Sequence, residues 1–326
     1  MLNIAVIGAG RIGRIHAHNV AQHEVARLAG IFDSHTPSAE ALAVATGCKT
    51  LTLDQALAAD AVLIGSPTDT HANYIELAAR AGRPMFCEKP IDLSASRVEQ
   101  ALAVVRDAGV PLMVGFNRRF DPSFATLKRR LAAGEIGRLE MLTIISRDPA
   151  PPPASQIATS GGLFRDMMIH DLDLARFLMG EDVVTVYAAG SCLFDREIGD
   201  AGDVDTAMVT LTTASGTLCQ ISNSRRAAYG YDQRIEAHGS GGLLRAGNQT
   251  ATTVEVANSR GFTTDPALPF FLERYAAAYK AELDAFVDCV TGGIPAAPSG
   301  EDGLAALVLA DAAVESVRTG QAVRVG

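Results

Sequence analysis

The sequence predicts an α/β protein in two parts, and three observations carry that prediction. Short, apolar, partly β-branched runs alternate with helical patterns from Asn3 to Gly115. A glycine turn, G-A-G-R-I-G, closes the first of those runs. Beyond Arg138 the alternation gives way to longer β-branched runs separated by turn residues. Repeated strand and helix units imply a doubly wound parallel sheet, and the later runs imply an α/β domain built on a largely antiparallel open sheet.

The totals bound the function. With 326 residues, 48% hydrophobic and 20% charged, the chain has apolar material for one large or two ordinary domains. The net charge of -9, with no Lys/Arg-rich run, offers no footprint for nucleic acid or an anionic membrane, so a small-molecule partner is expected. The five cysteines (Cys48, Cys87, Cys192, Cys219, Cys289) are scattered and never in C-x-x-C spacing, which suggests reduced thiols in a cytoplasmic protein. The opening MLNIAVIGAG lacks a basic segment and reads as mature structure, and no apolar run approaches the roughly 18 residues of a membrane span. A Pro-rich patch from Asp148 to Ser155 is too short to separate independent domains.

The first strand, Asn3 to Ile7, is followed by Gly8, Gly10 and Gly13 and then by a helical pattern through Val20. That order gives the glycines a mechanism. The first permits a tight turn, the second lets backbone approach a pyrophosphate, and the third lets helix pack on strand, with the helix N-terminus facing the phosphates. A second strand, Val25 to Phe32, ends at Asp33, where an acid can accept hydrogen bonds from ribose hydroxyls. These residues predict a Rossmann dinucleotide-binding domain. Asp33 favours NAD by repelling a 2′-phosphate, while Ser34 and His35 beside it leave NADP open.

The alternation continues with a strand at Ala61 to Gly65, a turn at Ser66-Pro67-Thr68 and a helix through Ala81. A strand at Pro84 to Cys87, a helix at Ser94 to Ala108 and a strand at Leu112 to Gly115 complete it. Ligands of such sheets bind at the carboxyl ends of the strands, so Cys87-Glu88-Lys89-Pro90 and Gly115 to Phe120 would rim the crevice. Lys89 could donate to a substrate hydroxyl and stabilise a developing alkoxide. The alternative is a solvated lysine before a turn.

In the second part, strands are expected at Met141 to Ile145, Val183 to Ala189, Thr206 to Leu211, Thr217 to Ser222 and Gln233 to Ala237. Helices at Phe271 to Val290 and Glu301 to Arg318 are expected to return to the first domain, before a final strand at Ala322 to Val325. The division is residues 1–118 and 119–326.

One stretch, G-G-L-F-R-D-M-M-I-H-D-L-D-L-A-R-F-L from Gly161, puts charge into an apolar helical pattern. On a helix beginning near Gly162, Asp166, His170 and Asp173 fall at i, i+4 and i+7 and share one face. Met168, Leu172 and Ala175 mark another face, with Met167, Leu174 and Leu178 nearby, and Asp171 points elsewhere. An aspartate one turn before a histidine can orient the ring as a general base for an alcohol proton. The alternative is a surface ion pair worth a few tenths of a kcal/mol. A zinc site would need further ligands that this stretch lacks, so no metal is expected.

Together G-A-G-R-I-G, C-E-K-P, G-F-N-R-R-F-D and G-G-L-F-R-D-M-M-I-H-D resemble the Gfo/Idh/MocA oxidoreductases, over essentially the whole chain. Within that family the block from Arg165 to Leu178, the Ser146-Arg147-Asp148-Pro149 turn and Tyr229-Gly230-Tyr231-Asp232 look most like the bacterial inositol 2-dehydrogenases. The resemblance implies a homotetramer whose C-terminal sheet face forms subunit contacts, acting on a polyol or sugar with NAD. It implies Lys89, Asp166 and His170 as the catalytic group, with His170 as base. Cofactor contacts are then expected from Gly8, Gly10, Arg11, Ile12, Asp33, Ser66, Thr68, His71, Glu88, Lys89 and Asn117. Substrate contacts are expected from Lys89, Asn117, Arg119, Asp148, Asp166, His170, Tyr229 and Tyr231, with Arg118 supporting structure. The expected reaction is oxidation of a ring hydroxyl of myo-inositol or a close isomer; a sugar dehydrogenase and a dinucleotide-sensing regulator without turnover are the competing readings.

Overall fold

The computed structural model describes residues 1–325, with side chains except at 154, 156 and 158. Backbone contacts divide the chain into two units. One comprises Met1–Phe120 with Ala278–Leu307, and the other Asp121–Ala277 with the chain from Val308 onward.

In the first unit β1 (Leu2–Ile7), β2 (Ala26–Phe32), β3 (Ala61–Ile64), β4 (Met85–Glu88) and β5 (Leu112–Gly115) form one sheet in the order β2-β1-β3-β4-β5. Every pairing is parallel, and β3, β4 and β5 are buried throughout, as strands covered on both faces must be. The helices α1 (Arg11–Ala21), α2 (Thr36–Thr46), α3 (Leu53–Leu57), α4 (Thr68–Arg80) and α5 (Ala95–Ala108) connect the strands, and a 3-10 turn follows at Asn117–Phe120. The alternation read from the sequence leaves out α2 and α3. α2 is Ala-rich and ends at Gly47 in the left-handed conformation, and α3 is a single short turn secured by a Thr52/Gln55 capping box. The order reverses between β1 and β3, which places the ligand crevice beyond the ends of those two strands.

The second unit contains α6 (Pro122–Ala132), β6 (Leu139–Arg147), α7 (Ala154–Ser160), a π-helical turn at Leu163–Met167, α8 (Ile169–Met179), β7 (Val183–Ser191) and α9 (Arg196–Asp200). It continues through β8 (Thr206–Thr213), β9 (Leu218–Ser224), β10 (Asp232–Gly239), β11 (Gly242–Ala246), an outlying hairpin of β12 (Glu255–Asn258) and β13 (Gly261–Thr264), and α10 (Phe271–Arg274). Next come α11 (Ala276–Gly292), which falls mainly in the first unit, and α12 (Gly300–Thr319), which is divided between the two. The long helix expected from Phe271 is therefore interrupted at Tyr275.

Seven strands of the second unit form one sheet in the order β11-β10-β6-β9-β8-β7-β14, where β14 is Val323–Arg324. The sheet is mixed, because β6 and β9 run parallel while the other pairings are antiparallel. Alternation along β6, β8, β9 and β10 buries Leu142, Ile144, Val209, Leu211, Ile221 and Ile235 on one face, and α8 packs against β6. The opposite face leaves Met141, Tyr187, Met208, Leu218 and Leu243 exposed.

Candidate active site

Gly8 sits at the switch point with φ +105°, and a Cβ there would lie 2.5 Å from Ser66 N and 2.6 Å from Gly65. A Cβ on Gly13 would lie 2.0 Å from the Gly8 carbonyl oxygen. These two glycines are therefore demanded by the protein's own backbone. Gly10 differs, since nothing lies within 4 Å of the place its Cβ would take. It is the N-cap of α1 with no side chain capping the helix, so the N–H groups of the first turn, from Arg11 and Ile12 onward, are left for an anion.

Asp33 holds that turn. Its Oδ2 accepts from Ala9 N at 2.6 Å and its Oδ1 from His35 N at 2.7 Å. Each carboxylate oxygen carries a further lone pair, which suits a ribose hydroxyl. His35 Nδ1 meets Ser38 Oγ at 2.8 Å, so the imidazole beside Asp33 is engaged within the protein.

Ser66 and Thr68 follow β3 at the start of α4, and Ser66 Oγ is 2.6 Å from Thr70 Oγ1. His71, only 2% exposed, has Nε2 2.7 Å from the Ser66 carbonyl and Nδ1 2.8 Å from that of Pro90. A neutral imidazole carries a single N–H, so it donates to one of these two carbonyls at a time. Burial lowers its pKa, opposed by the two carbonyls.

Glu88 ends β4 and Lys89 is half-buried beside it. At the end of β5, Asn117 is 4% exposed, and among the described residues nothing donates to its Oδ1. A buried acceptor without a donor, the open space over Gly10 and the carboxylate of Asp33 fit a dinucleotide with a terminal carboxamide. Arg118 is 4% exposed, and Arg119 pairs with Asp302 of α12 at 3.0 Å.

In the second unit the charged stretch departs from a simple α-helix. Met168 N donates to the Leu163 carbonyl at 2.9 Å, an i to i−5 bond, so Asp166 lies in a π turn and His170 in the first turn of α8. The wider turn changes the step from Asp166 to His170 and leaves the step from His170 to Asp173 that of a regular helix. Asp166 and His170 are half-buried, whereas Asp173, expected on the same polar edge, is 1% exposed. Asp171 is fully buried and accepts from Asn223 Nδ2 at 3.0 Å, a structural role.

Sequence reasoning did not find what holds this segment. Leu163 N, where the π turn begins, donates to both oxygens of Asp203 at 3.0 Å, and Arg225, 1% exposed, donates to Asp203 Oδ2 at 3.2 Å. No local motif marks Asp203, whose partners are distant in sequence. Asp148 is half-buried after β6, with its N–H on the Ser224 carbonyl at 2.9 Å. Tyr229 is 48% exposed, and its hydroxyl donates to Asp232 at 2.7 Å and accepts from Arg147 at 3.0 Å. Tyr231 is 5% exposed, its ring edge-on to Phe270 and Tyr275.

Comparison with known proteins accounts for both units. Residues 2–116 match the NAD-binding Rossmann fold of the Gfo/Idh/MocA oxidoreductase family, and residues 128–325 match that family's C-terminal alpha/beta domain. The chain is 53% identical to an inositol 2-dehydrogenase of Rhizobium meliloti (strain 1021), over 97% of each chain. A myo-inositol dehydrogenase of Corynebacterium glutamicum superposes with a TM-score of 0.96 at 47% identity, covering 100% of this chain and 99% of the other. The scyllo-inositol dehydrogenase of Lactobacillus casei, solved with NAD(H) and scyllo-inositol, superposes with a TM-score of 0.92 at 31% identity over 99% of both. The chain belongs to the Gfo/Idh/MocA family of NAD-binding oxidoreductases.

Proposed function

We propose that the protein is an NAD-dependent dehydrogenase that oxidises one ring hydroxyl of myo-inositol, or of a close stereoisomer, to the corresponding inosose. The observation that carries this reading is similarity along nearly the whole chain to inositol 2-dehydrogenases, in a chain that holds Lys89, Asp166 and His170. Bound NAD supplies the hydride acceptor. His170 takes the hydroxyl proton as general base, and Asp166 orients its ring and favours the imidazolium that results. Lys89 donates to the reacting oxygen and steadies the charge that develops there.

Asn117, Arg119, Asp148 and Tyr229 are the further polyol contacts. A ring with vicinal hydroxyls satisfies such groups, whereas an apolar substrate would leave them unpaired. Glu88 and His71 serve the cofactor side by fixing the crevice walls, and Asp33 selects NAD. The exposed sheet face bearing Met141, Tyr187, Met208 and Leu218 is the subunit contact of a homotetramer, which sedimentation tests. The protein works in the cytoplasm, in keeping with five free cysteines and, among the described residues, no helix long and apolar enough to cross a membrane.

The test is initial-rate NADH formation with myo-inositol, scyllo-inositol, D-chiro-inositol, glucose and a blank, repeated with NADP. An inositol is expected to react fastest, with NAD. Turnover of glucose alone would overturn the substrate, and NAD binding without turnover of any polyol would overturn the enzyme reading. His170→Ala is expected to lower kcat by about 100-fold or more while NAD affinity holds; near-normal turnover would remove His170 as base.

A further inference from the structure

Glu88 is the last residue of β4 and directly precedes Lys89. Its side chain crosses β5 at Gly115, its register partner, where an added Cβ would lie 2.9 Å from the carboxylate. The carboxylate then meets a buried imidazole on α1, with His16 Nε2 2.7 Å from Glu88 Oε1. Behind it, Glu282 of α11 has Oε1 3.9 Å from the same nitrogen. His16 and Glu282 are 0% exposed and Glu88 is 8% exposed. Phe86 and Tyr279 stand edge-on to the imidazole with centroids at 5.1 and 5.7 Å, keeping water out.

Two carboxyls and one imidazole buried together are an expensive way to fill a core, since apolar residues of the same volume would be as stable or more so. Among the described residues neither oxygen of Glu282 has a hydrogen-bond partner. Burial, and then the charge of Glu88, push its carboxyl well above the usual range. What the cluster provides is geometry. It ties the residue before Lys89 to α1, the helix whose N-terminus the glycine turn presents, while His71 Nδ1 lies 2.8 Å from the carbonyl of Pro90.

We propose that His16 is a positioning residue for the dehydrogenase reaction: by holding Glu88 it fixes Lys89 in register with the glycine-turn helix. The inference rests on the reading of Lys89 as the donor to the reacting oxygen. His16 acts through Glu88 and touches neither substrate nor cofactor.

Three variants test it, with the substrate that reacts fastest. His16→Leu keeps the volume and removes the donor, His16→Gln keeps an N–H that can reach Glu88, and His16→Asn carries an amide too short to do so. His16→Leu is expected to lower kcat about 10- to 100-fold, the effect of an ångström-scale misplacement, with NAD Kd changed by less than about 3-fold. His16→Gln is expected to recover most of that loss. Unchanged kcat in His16→Leu, or a His16→Gln enzyme as slow as His16→Leu, would overturn the proposal. Should His16→Leu not fold, as judged by its melting curve, the comparison of His16→Gln with His16→Asn decides in the same way: a faster Gln variant supports the bond, and equal rates overturn it. The three ligand atoms lie within 4.8 Å of one another, so elemental analysis belongs in the test, and one tightly held divalent ion per chain would make them metal ligands and overturn the positioning role. Lys89→Ala separates the levels: if it turns over normally, the reading of Lys89 fails and this inference with it.

Discussion

Gly10 and Gly13 lie three residues apart in the same turn, yet the structure assigns their substitution opposite consequences. At Gly10, the N-cap with φ −70° and ψ −169°, a side chain meets no protein atom within 4 Å and the backbone is already acceptable to any residue. Gly10→Val should therefore cost the cofactor-free protein less than about 1 kcal/mol, the difference between glycine and valine as a cap. The valine methyls would instead occupy the space that the α1 N–H groups face. If they weaken NAD binding 100-fold, the stabilisation given by NAD at 100 times the wild-type Kd falls from about 2.7 to about 0.4 kcal/mol. At Gly13 an added Cβ meets the Gly8 carbonyl oxygen at 2.0 Å, so backbone must move, and Gly13→Ala is expected to cost about 1–3 kcal/mol or more before any ligand is added. Urea unfolding of both variants with and without NAD reads both quantities. A Gly10→Val protein that keeps its full stabilisation by NAD would show that the pyrophosphate does not lie over Gly10.

Other outcomes follow from buried charge. The raised carboxyl of Glu282 keeps its proton in the folded chain and loses it on unfolding, so its contribution is fully present below the ordinary glutamate range and is lost as pH rises towards its folded pKa. The stability difference between Glu282→Gln and wild type should therefore grow with pH above that range, with a slope approaching about 1.4 kcal/mol per pH unit; parallel pH–stability curves would refute it. Asp121 caps α6 through Ser123 N and Phe124 N, both at 3.1 Å, and pairs with Arg274, each side chain being 1% exposed. Asp121→Ala should cost about 4–6 kcal/mol, from the lost cap and an uncompensated guanidinium, and Asp121→Ala/Arg274→Met should regain most of it; additive losses in that cycle would argue against the pairing.

Much of this site is legible in the chain because its demands are local. Gly8 and Gly13 answer to the turn they occupy, and Asp33 is positioned by the length of one helix and one strand. Asp173 misleads because helical spacing tells which residues share a face and not how deeply that face is covered, and the fold buries Asp173 in α8. The parallel β6–β9 pair is invisible for a related reason, since alternation records which face is buried and not which way the neighbouring strand runs. His16, Asp203 and Glu282 escape notice because each has its meaning in partners far along the chain.

By itself the sequence determines the strands and glycine turn of the dinucleotide half, most strands of the second sheet and the chemical identity of Lys89, Asp166 and His170, because strand, turn and helix are written in periodicity and in residues that only certain backbones accept. Tertiary structure alone decides how those groups are held. Burial raises the carboxyl of Glu282, a bond from α1 reaches the residue before Lys89, and Asp203 with Arg225 secures the turn that carries Asp166. Burial and hydrogen bonding are properties of neighbours in space, and neighbours in space are what folding selects.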